Sequence, residues 1–523
     1  MNNIKQRTVK KFYNTVRRIT AVALCLHLGM YICNAADTTG IGSRYVEAGA
    51  VWYGEPSLSY ANPALMLRRS SVSLGSVAAG YALEHQNKAL VAGKGKGDTR
   101  GEFDARAYIV SGSSSLWGHA GYSFGKLRDL QWCETADYDR VFPYVSADES
   151  GGPLKHENYS FSGGYASESG RWSYGASLAY DAGLYYRDTD PRPRDVTGNL
   201  RLSGGAAYAI SSGYLAGVSV KGERYTQSCD ITFQSEVGEL EIYHLTGLGT
   251  HYVRFDGAGK TTDYKGYTYG GGLFLFPLSG GIFGSVVASR MTMDVIIRDL
   301  NKLPMAGLWE NRVDMQAGYR SSYGRDSWSV SGYLSASRRH GTENIFGDAS
   351  ASVYPQIASL EMFADNRMSA SLRGLYQRRA GRGWLALSPE VGYSHVRQVY
   401  AQPFRWAEVN MLNLSLSMSG SARLSDRLCG GFSVSMDYRS RVSGCGISLG
   451  DVAPSGVDRE LAQVVTADHE AACSSMAAIH AEAELLVSVS RCHAIGVKAG
   501  YGYAHYGIGT DAGQLLASLQ FYF

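Results

Sequence analysis

The sequence predicts an all-β chain whose main part is a transmembrane antiparallel β-barrel of about 18 strands, with 16 as the alternative count. Three observations predict it. Side chains alternate at period two along most of the chain, the polar face is built from Ser, Gly and Asn, and short connections alternate with long ones.

The alternation is plain in MLNLSLSMSGSARL, where Leu412, Leu414, Leu416 and Met418 oppose Asn413, Ser415, Ser417 and Ser419. WSVSGYLSAS places Trp328, Val330, Leu334 and Ala336 against Ser329, Ser331, Ser335 and Ser337. RWSYGASLAY and FSVSMDY repeat it. Successive side chains of a strand point to opposite faces, so these runs are strands. Many run beyond the five or so residues usual in soluble sheets. A soluble sandwich would carry Lys and Glu on its wet face. Small uncharged residues there fit instead a water-filled lumen backed by a lipid-facing wall.

Composition agrees. The 523 residues include 63 Gly and 36 Tyr but only 12 Pro, and 50 Lys and Arg balance 47 Asp and Glu to a net charge of +3. That balance gives no reason to expect nucleic acid as a partner.

The N-terminus reads as an export signal. Lys5, Arg7, Lys10, Lys11, Arg17 and Arg18 precede the apolar run ITAVALCLHLGMYIC, with Cys33 and Ala35 as the small residues before a cut. Residues 1–35 are therefore expected to be a signal peptide. Residues 36–69 follow as a periplasmic or luminal segment, and 70–523 as the barrel. Past residue 36 no stretch offers about 18 uncharged apolar residues, so the crossing is by strands.

The connections fix the topology. Short polar links are expected at 111–115, 167–171, 211–213, 277–280, 324–327, 379–383, 425–427 and 490–493. Longer ones fall at 128–156, 186–196, 228–263, 298–311, 342–357, 400–406 and 443–472, with a short one near 506–511. The links on both sides of ELEIYHLTGL (239–248) are of the periplasmic kind, so that segment belongs to an external excursion, a small hairpin above the membrane. Omitting it leaves 18 strands with both ends periplasmic. The alternating tail from Gly513 to Phe523 is then the closing strand, paired with the first strand near 71–81. Its Phe521 and Phe523 resemble the aromatic signature by which outer-membrane barrels are handed to the barrel-assembly machinery.

Several landmarks, namely Asn62-Pro63-Ala64, SLGSVAAGY (73–81), DPRP (190–193), YKGYTYGGGLF (264–274) and RHGTE (339–343), are similar to a Bacteroidota outer-membrane β-barrel family of unknown function. The resemblance implies a barrel and a cell outer-membrane address, and supplies no activity. The Asn62-Pro63-Ala64 element is also similar to the N-terminal region of long-chain fatty-acid transporters.

Catalytic and metal patterns are sparse. The glycine-rich YGGGLF lies within a strand and AGKGKGD (92–98) in an external connection, where neither can cradle a phosphate. The sequence has no H-E-x-x-H and no Cys-x-x-Cys. Arg338, Arg339 and His340 fall at an external strand end, where a membrane hydrolase could place such a set; a charged rim is the plainer reading. No catalytic residue, metal or cofactor is expected. Cys445 and Cys473 bracket an acidic external loop between neighbouring strands and are expected to form a disulfide. The reading is a passive channel or transporter for small solutes. The alternative is a structural or interaction barrel, an export-system component or surface platform contacting an extracellular or periplasmic protein through loops 228–263 and 443–472. A plugged receptor would need about 22 strands and a larger N-terminal domain. Outer-membrane lipid is the remaining partner.

Overall fold

A computed structural model of the chain describes residues 40–50, 58–234, 241–257, 259–349, 353–453 and 455–523. The expected signal peptide lies outside the described residues.

The barrel strands are β1 (Leu74–Gln86), β2 (Asp98–Ser111), β3 (Ser114–Leu130), β4 (Gly152–Ser169), β5 (Trp172–Tyr186) and β6 (Arg192–Ser211). They continue as β7 (Tyr214–Thr232), β8 (Thr261–Pro277), β9 (Gly281–Ile297), β10 (Leu303–Tyr323), β11 (Asp326–Phe346) and β12 (Gln356–Ala380). The last six are β13 (Gly383–Tyr400), β14 (Arg405–Arg423), β15 (Leu428–Arg441), β16 (Met476–Ser488), β17 (Ala494–Tyr506) and β18 (Thr510–Tyr522). Each pairs antiparallel with its sequence neighbours, and β1 pairs with β18 from Ser76 opposite Tyr522 to Gln86 opposite Ala512. The 18 strands therefore close into a barrel. A further three-residue strand, Gly446–Ser448, pairs only with β14 at its rim.

The predicted sidedness holds. Leu414 and Leu416 are 43% and 45% exposed on the outer wall, as are Val220, Leu273, Leu372 and Leu485 on other strands, while Ser415 and Ser417 face inward. Only closure satisfies every backbone group of a sheet in lipid. A closed barrel with an apolar outer band is an outer-membrane β-barrel, and the cell outer membrane is its location.

Strand length departs from expectation. The strands run from 13 to 25 residues, where about 9–11 suffice to cross a bilayer. The surplus lies at the long-connection end, so expected loops shrink: 186–196 becomes 187–191, 298–311 becomes 298–302, and 342–357 becomes 347–355. Long connections mark the outside, and paired strands continue above the membrane as a wall.

The 228–263 excursion does contain a small hairpin, Tyr243–Gly247 with Thr250–His251, and Val145–Ala147 adds a third strand. The 443–472 loop does not stay irregular, because Val457–Ala472 is a helix, α2. Among the described residues no helix is long and apolar enough to cross a membrane.

Candidate functional site: a luminal chamber closed at both ends

The inner closure is built from residues 40–50 and 58–69. Helix α1 (Ile41–Ala48) lies against one wall: the Tyr45 hydroxyl donates to Glu484 Oε2 at 3.0 Å, and Trp384 Nε1 donates to the Val46 carbonyl at 2.9 Å. Farther along, Leu58 N donates to Gln316 Oε1 at 2.7 Å, and Ser59 Oγ meets Ser285 Oγ at 2.9 Å on β9. Residues 40–50 thus sit against β13 and β16, and residues 58–59 against β9 and β10, on separate parts of the inner wall.

Its anchor is Asn62-Pro63-Ala64. Asn62 is fully buried; its Oδ1 caps the following 3-10 turn by accepting from Ala64 N at 3.0 Å. Its Nδ2 donates to the carbonyls of Ala206 (3.2 Å) and Val218 (3.1 Å), which face each other across β6 and β7. The side chain thus bonds into the wall's own ladder. Close approach is possible because the inward face there is glycine. A Cβ on Gly205 would sit 1.9 Å from Asn62 Oδ1, one on Gly217 2.7 Å from its Nδ2, and one on Gly175 2.4 Å from the Pro63 carbonyl carbon. Ala64 and Leu65 then pack on Ala207, Leu215, Phe274, Phe276 and Val287, an apolar seat at the inner end of the lumen.

The outer closure is assembled from several loops. Cys133, Val141, Tyr144, Val145 and Phe255 from two loops pack with Tyr264, Val295, Leu308 and Phe346 of the upper wall. Helix α2 lies over them. Its Leu461 packs with Trp132, Ala147 and Tyr243, while Val465 faces the cluster of Leu248, Phe363, Tyr400 and Ala407. Wall side chains hold the loops by their carbonyls. Arg405 Nη1 donates to Leu248 O (2.9 Å) and Gly249 O (2.7 Å), and Arg339 Nη1 to Asp139 O (2.8 Å) and Phe142 O (2.9 Å). Asp468 on α2 accepts from Ala92 N at 3.0 Å, and burial pushes its carboxyl up to about 7.

Between these closures lies a cavity of about 880 Å³ against β2–β7, lined by Asp104, Arg106, His119, Asp181 and Asn199 of the wall and Arg140 from above. The charges neutralise one another locally. Arg106 Nε sits 2.6 Å from Asp104 Oδ1, His119 Nε2 2.6 Å from Asp104 Oδ2, and Arg201 Nη2 2.6 Å from Asp181 Oδ2; Arg140 pairs with Glu223. The chamber sets these charges of mixed sign among aromatic and aliphatic side chains such as Tyr185, Tyr225 and Leu154.

The residues singled out in the sequence fare differently. Arg338, Arg339 and His340 do not converge. Arg339 points inward to Glu310 (2.7 Å), while Arg338 and His340 lie on the outer wall, His340 stacked on Trp309 with centroids 4.2 Å apart. Cys445 and Cys473 are brought together as free thiols. The Cys473 thiol, pushed up to about 12 by burial and then by the adjoining Cys445, lies 3.5 Å from His469 Nε2. The juxtaposition a bridge needs is present, and the bridge expected there is not formed. Phe523 exchanges backbone hydrogen bonds with Gly75 (2.9 and 3.0 Å), and its ring covers the face where a Gly75 Cβ would stand. Phe521 stacks on His493 at 5.6 Å. Sequence reasoning missed α2, although Val457, Leu461, Val464 and Val465 recur at helical spacing.

The chain belongs to a family of unknown function, DUF6850, which it matches over residues 63–523. No curated relative matches it. Among solved structures it is similar to the ferric-catecholate import receptor Fiu from E. coli K12, at 9% identity and a TM-score of 0.37 over 86% of this chain and 81% of that one. It is also similar to a Pseudomonas aeruginosa FadL homologue (9%, TM-score 0.34, 93% and 98% covered). A third is the CymD monoaromatic hydrocarbon channel (11%, TM-score 0.31, 92% and 97% covered). These likenesses are of barrel shape and go no further.

Proposed function

We propose, for a chain whose family carries no assigned activity, a passive, gated conduit for small polar solutes across the outer membrane. The observation that carries this reading is the chamber. A barrel that served only as a scaffold would gain by filling its lumen with packed side chains. This one keeps about 880 Å³ lined by paired charges and tyrosines beneath an outer cap. Barrels of 16–18 strands are wide enough for an aqueous path, and a space of this size suits a small metabolite. The alternative, a partner platform, would present loops 228–263 and 443–472 outward. Instead their described parts pack on one another over the mouth through Tyr243 and Leu461, which supports transport over display.

The test locks the inner gate. Ser59→Cys combined with Ser285→Cys replaces two hydroxyls 2.9 Å apart. In proteoliposomes, uptake of a small polar tracer by the double variant should fall at least tenfold on oxidation and recover on reduction, with both single variants changing no more than the unmodified protein does. Uptake that ignores the lock would show that the inner segment does not gate. Absence of uptake in the unmodified protein would defeat the conduit reading itself.

A further inference from the structure

The outer wall carries an unpaired basic row that neither closure nor chamber uses. Arg290 on β9 stands opposite Asn311 on β10, Asn311 opposite Arg338 on β11, Arg338 opposite Asn366 on β12, and Asn366 opposite Arg397 on β13. All five share the outward parity of Val286, Met315, Val330, Met368 and Val391. Arg290, Arg338 and Arg397 are exposed. Among the described residues none of the three has an ion pair; Arg290 lies over the Trp309 ring at 5.1 Å. Strands are about 4.8 Å apart, so arginines on alternate strands stand about 10 Å from one another with an amide between. The row ends at Tyr269 on β8 and at Glu408 on β14, whose carboxylate already accepts from Asn410 at 3.2 Å.

Its depth identifies the occupant. Trp328, beside Tyr319 and paired with Tyr376, marks the inner aromatic girdle. Arg338 is ten residues farther along β11, which at about 3.3 Å per residue and a tilt near 40° is about 25 Å up the wall, the height of a barrel's apolar band. Just below the row the outward positions are Val313, Ala336 and Met368, which suit acyl chains. Because the strands tilt, the row is itself inclined, and Arg290 and Arg397 stand within about 6 Å of that height on either side. The row therefore crosses the headgroup zone of the outer leaflet, where Arg290 and Arg338 have no carboxylate opposite them and only Arg397 faces one, Glu408. We propose that this row binds the phosphates of a phosphorylated outer-leaflet glycolipid, a headgroup with more than one anionic group spanning β9 to β13.

Full-length protein in detergent, titrated with bisphosphorylated lipid A and read by native mass spectrometry, tests this. Dephosphorylated lipid A should bind at least tenfold more weakly, and equimolar inorganic phosphate should not compete. At about fivefold per arginine, the triple variant R290Q/R338Q/R397Q should lose on the order of 100-fold. The same charge change at the opposite rim, R325Q/R378Q/R382Q, should leave binding within twofold. Undiminished binding by the first triple variant, equal binding of the dephosphorylated lipid, or competition by inorganic phosphate would each overturn the assignment. Heat-modifiable migration reports folding; should the triple variant not fold, the three single variants carry the test, and no loss in any of them would overturn it.

Discussion

The two ends of the lumen are closed in opposite ways. At the inner end one short segment does the work, and its anchor is a shape fit: an asparagine amide bonded into the strand ladder through a patch of glycines. At the outer end the cap is a joint product of several loops and a helix, held by arginines reaching carbonyls and by a half-buried acid on that helix. A fit against backbone tolerates almost no added atom. A cap made of many weak contacts yields gradually and responds to charge and redox state. The difference suggests an inner gate that is either seated or not, and an outer one that can be tuned.

The largest expected effect comes from spoiling the fit. Gly205→Val places a side chain where Asn62 Oδ1 would be 1.9 Å from its Cβ. The seat is lost, leaving the Ala206 and Val218 carbonyls without their amide partner, at a cost of about 1–3 kcal/mol before any clash is counted. Leak conductance in planar bilayers should rise more than tenfold. Gly204→Val, at a neighbouring position with nothing within 4 Å, should stay near the original value. Equal conductance in both would mean that the inner segment holds on by contacts other than the glycine patch.

Next in size is the thiol pair. A mild oxidant should join Cys445 to Cys473, closing a loop worth about 3 kcal/mol in chain entropy. Amide exchange over 457–472 should slow accordingly, and Cys473→Ser should abolish the change. Peptide mapping that finds no Cys445–Cys473 link after oxidation would remove redox from the tuning of the cap.

The smallest effect is pH. The Asp468 carboxyl lies near its ordinary 3.8 in the unfolded chain and is raised to about 7 in the cap. Below pH 4 it is protonated in both states and costs nothing. Between about pH 4 and pH 7 the unfolded chain has released this proton while the folded cap still holds it, so stability falls across that window and levels off above it. Exchange over α2 should therefore quicken between pH 4 and pH 7 beyond its intrinsic rate and level off above that, and Asp468→Asn should flatten the difference. A flat profile in the unmodified protein would show that this acid does not tune the cap.

Much of this architecture was legible in the sequence, because lipid on one side and water on the other impose a strict period of two. Connection lengths did the rest, including the exclusion of 239–248 from the wall. What could not be read is whatever depends on register. Arg290, Arg338 and Arg397 are far apart in sequence and meet only because β9 to β13 align them. Asn62 could be noticed, but its seat on Gly175, Gly205 and Gly217 is a long-range contact with no local signature. Helix α2 was readable and was passed over, since its many acidic residues resembled a solvated loop although Val457, Leu461 and Val465 are spaced for burial.

The seam between β1 and β18 sets an order on assembly. Every other strand pair joins sequence neighbours and can form as a hairpin, whereas Ser76 must find Tyr522 across the whole barrel. Such a contact is entropically the most expensive in the fold and forms last. Until then both strands are open edges, templates for pairing with any other chain. The inner segment runs directly into β1, so it is tethered to one lip of that opening. Closure of the sheet and filling of the lumen are thus coupled in time, and a cell making this protein must shelter one long-lived gap rather than many short ones.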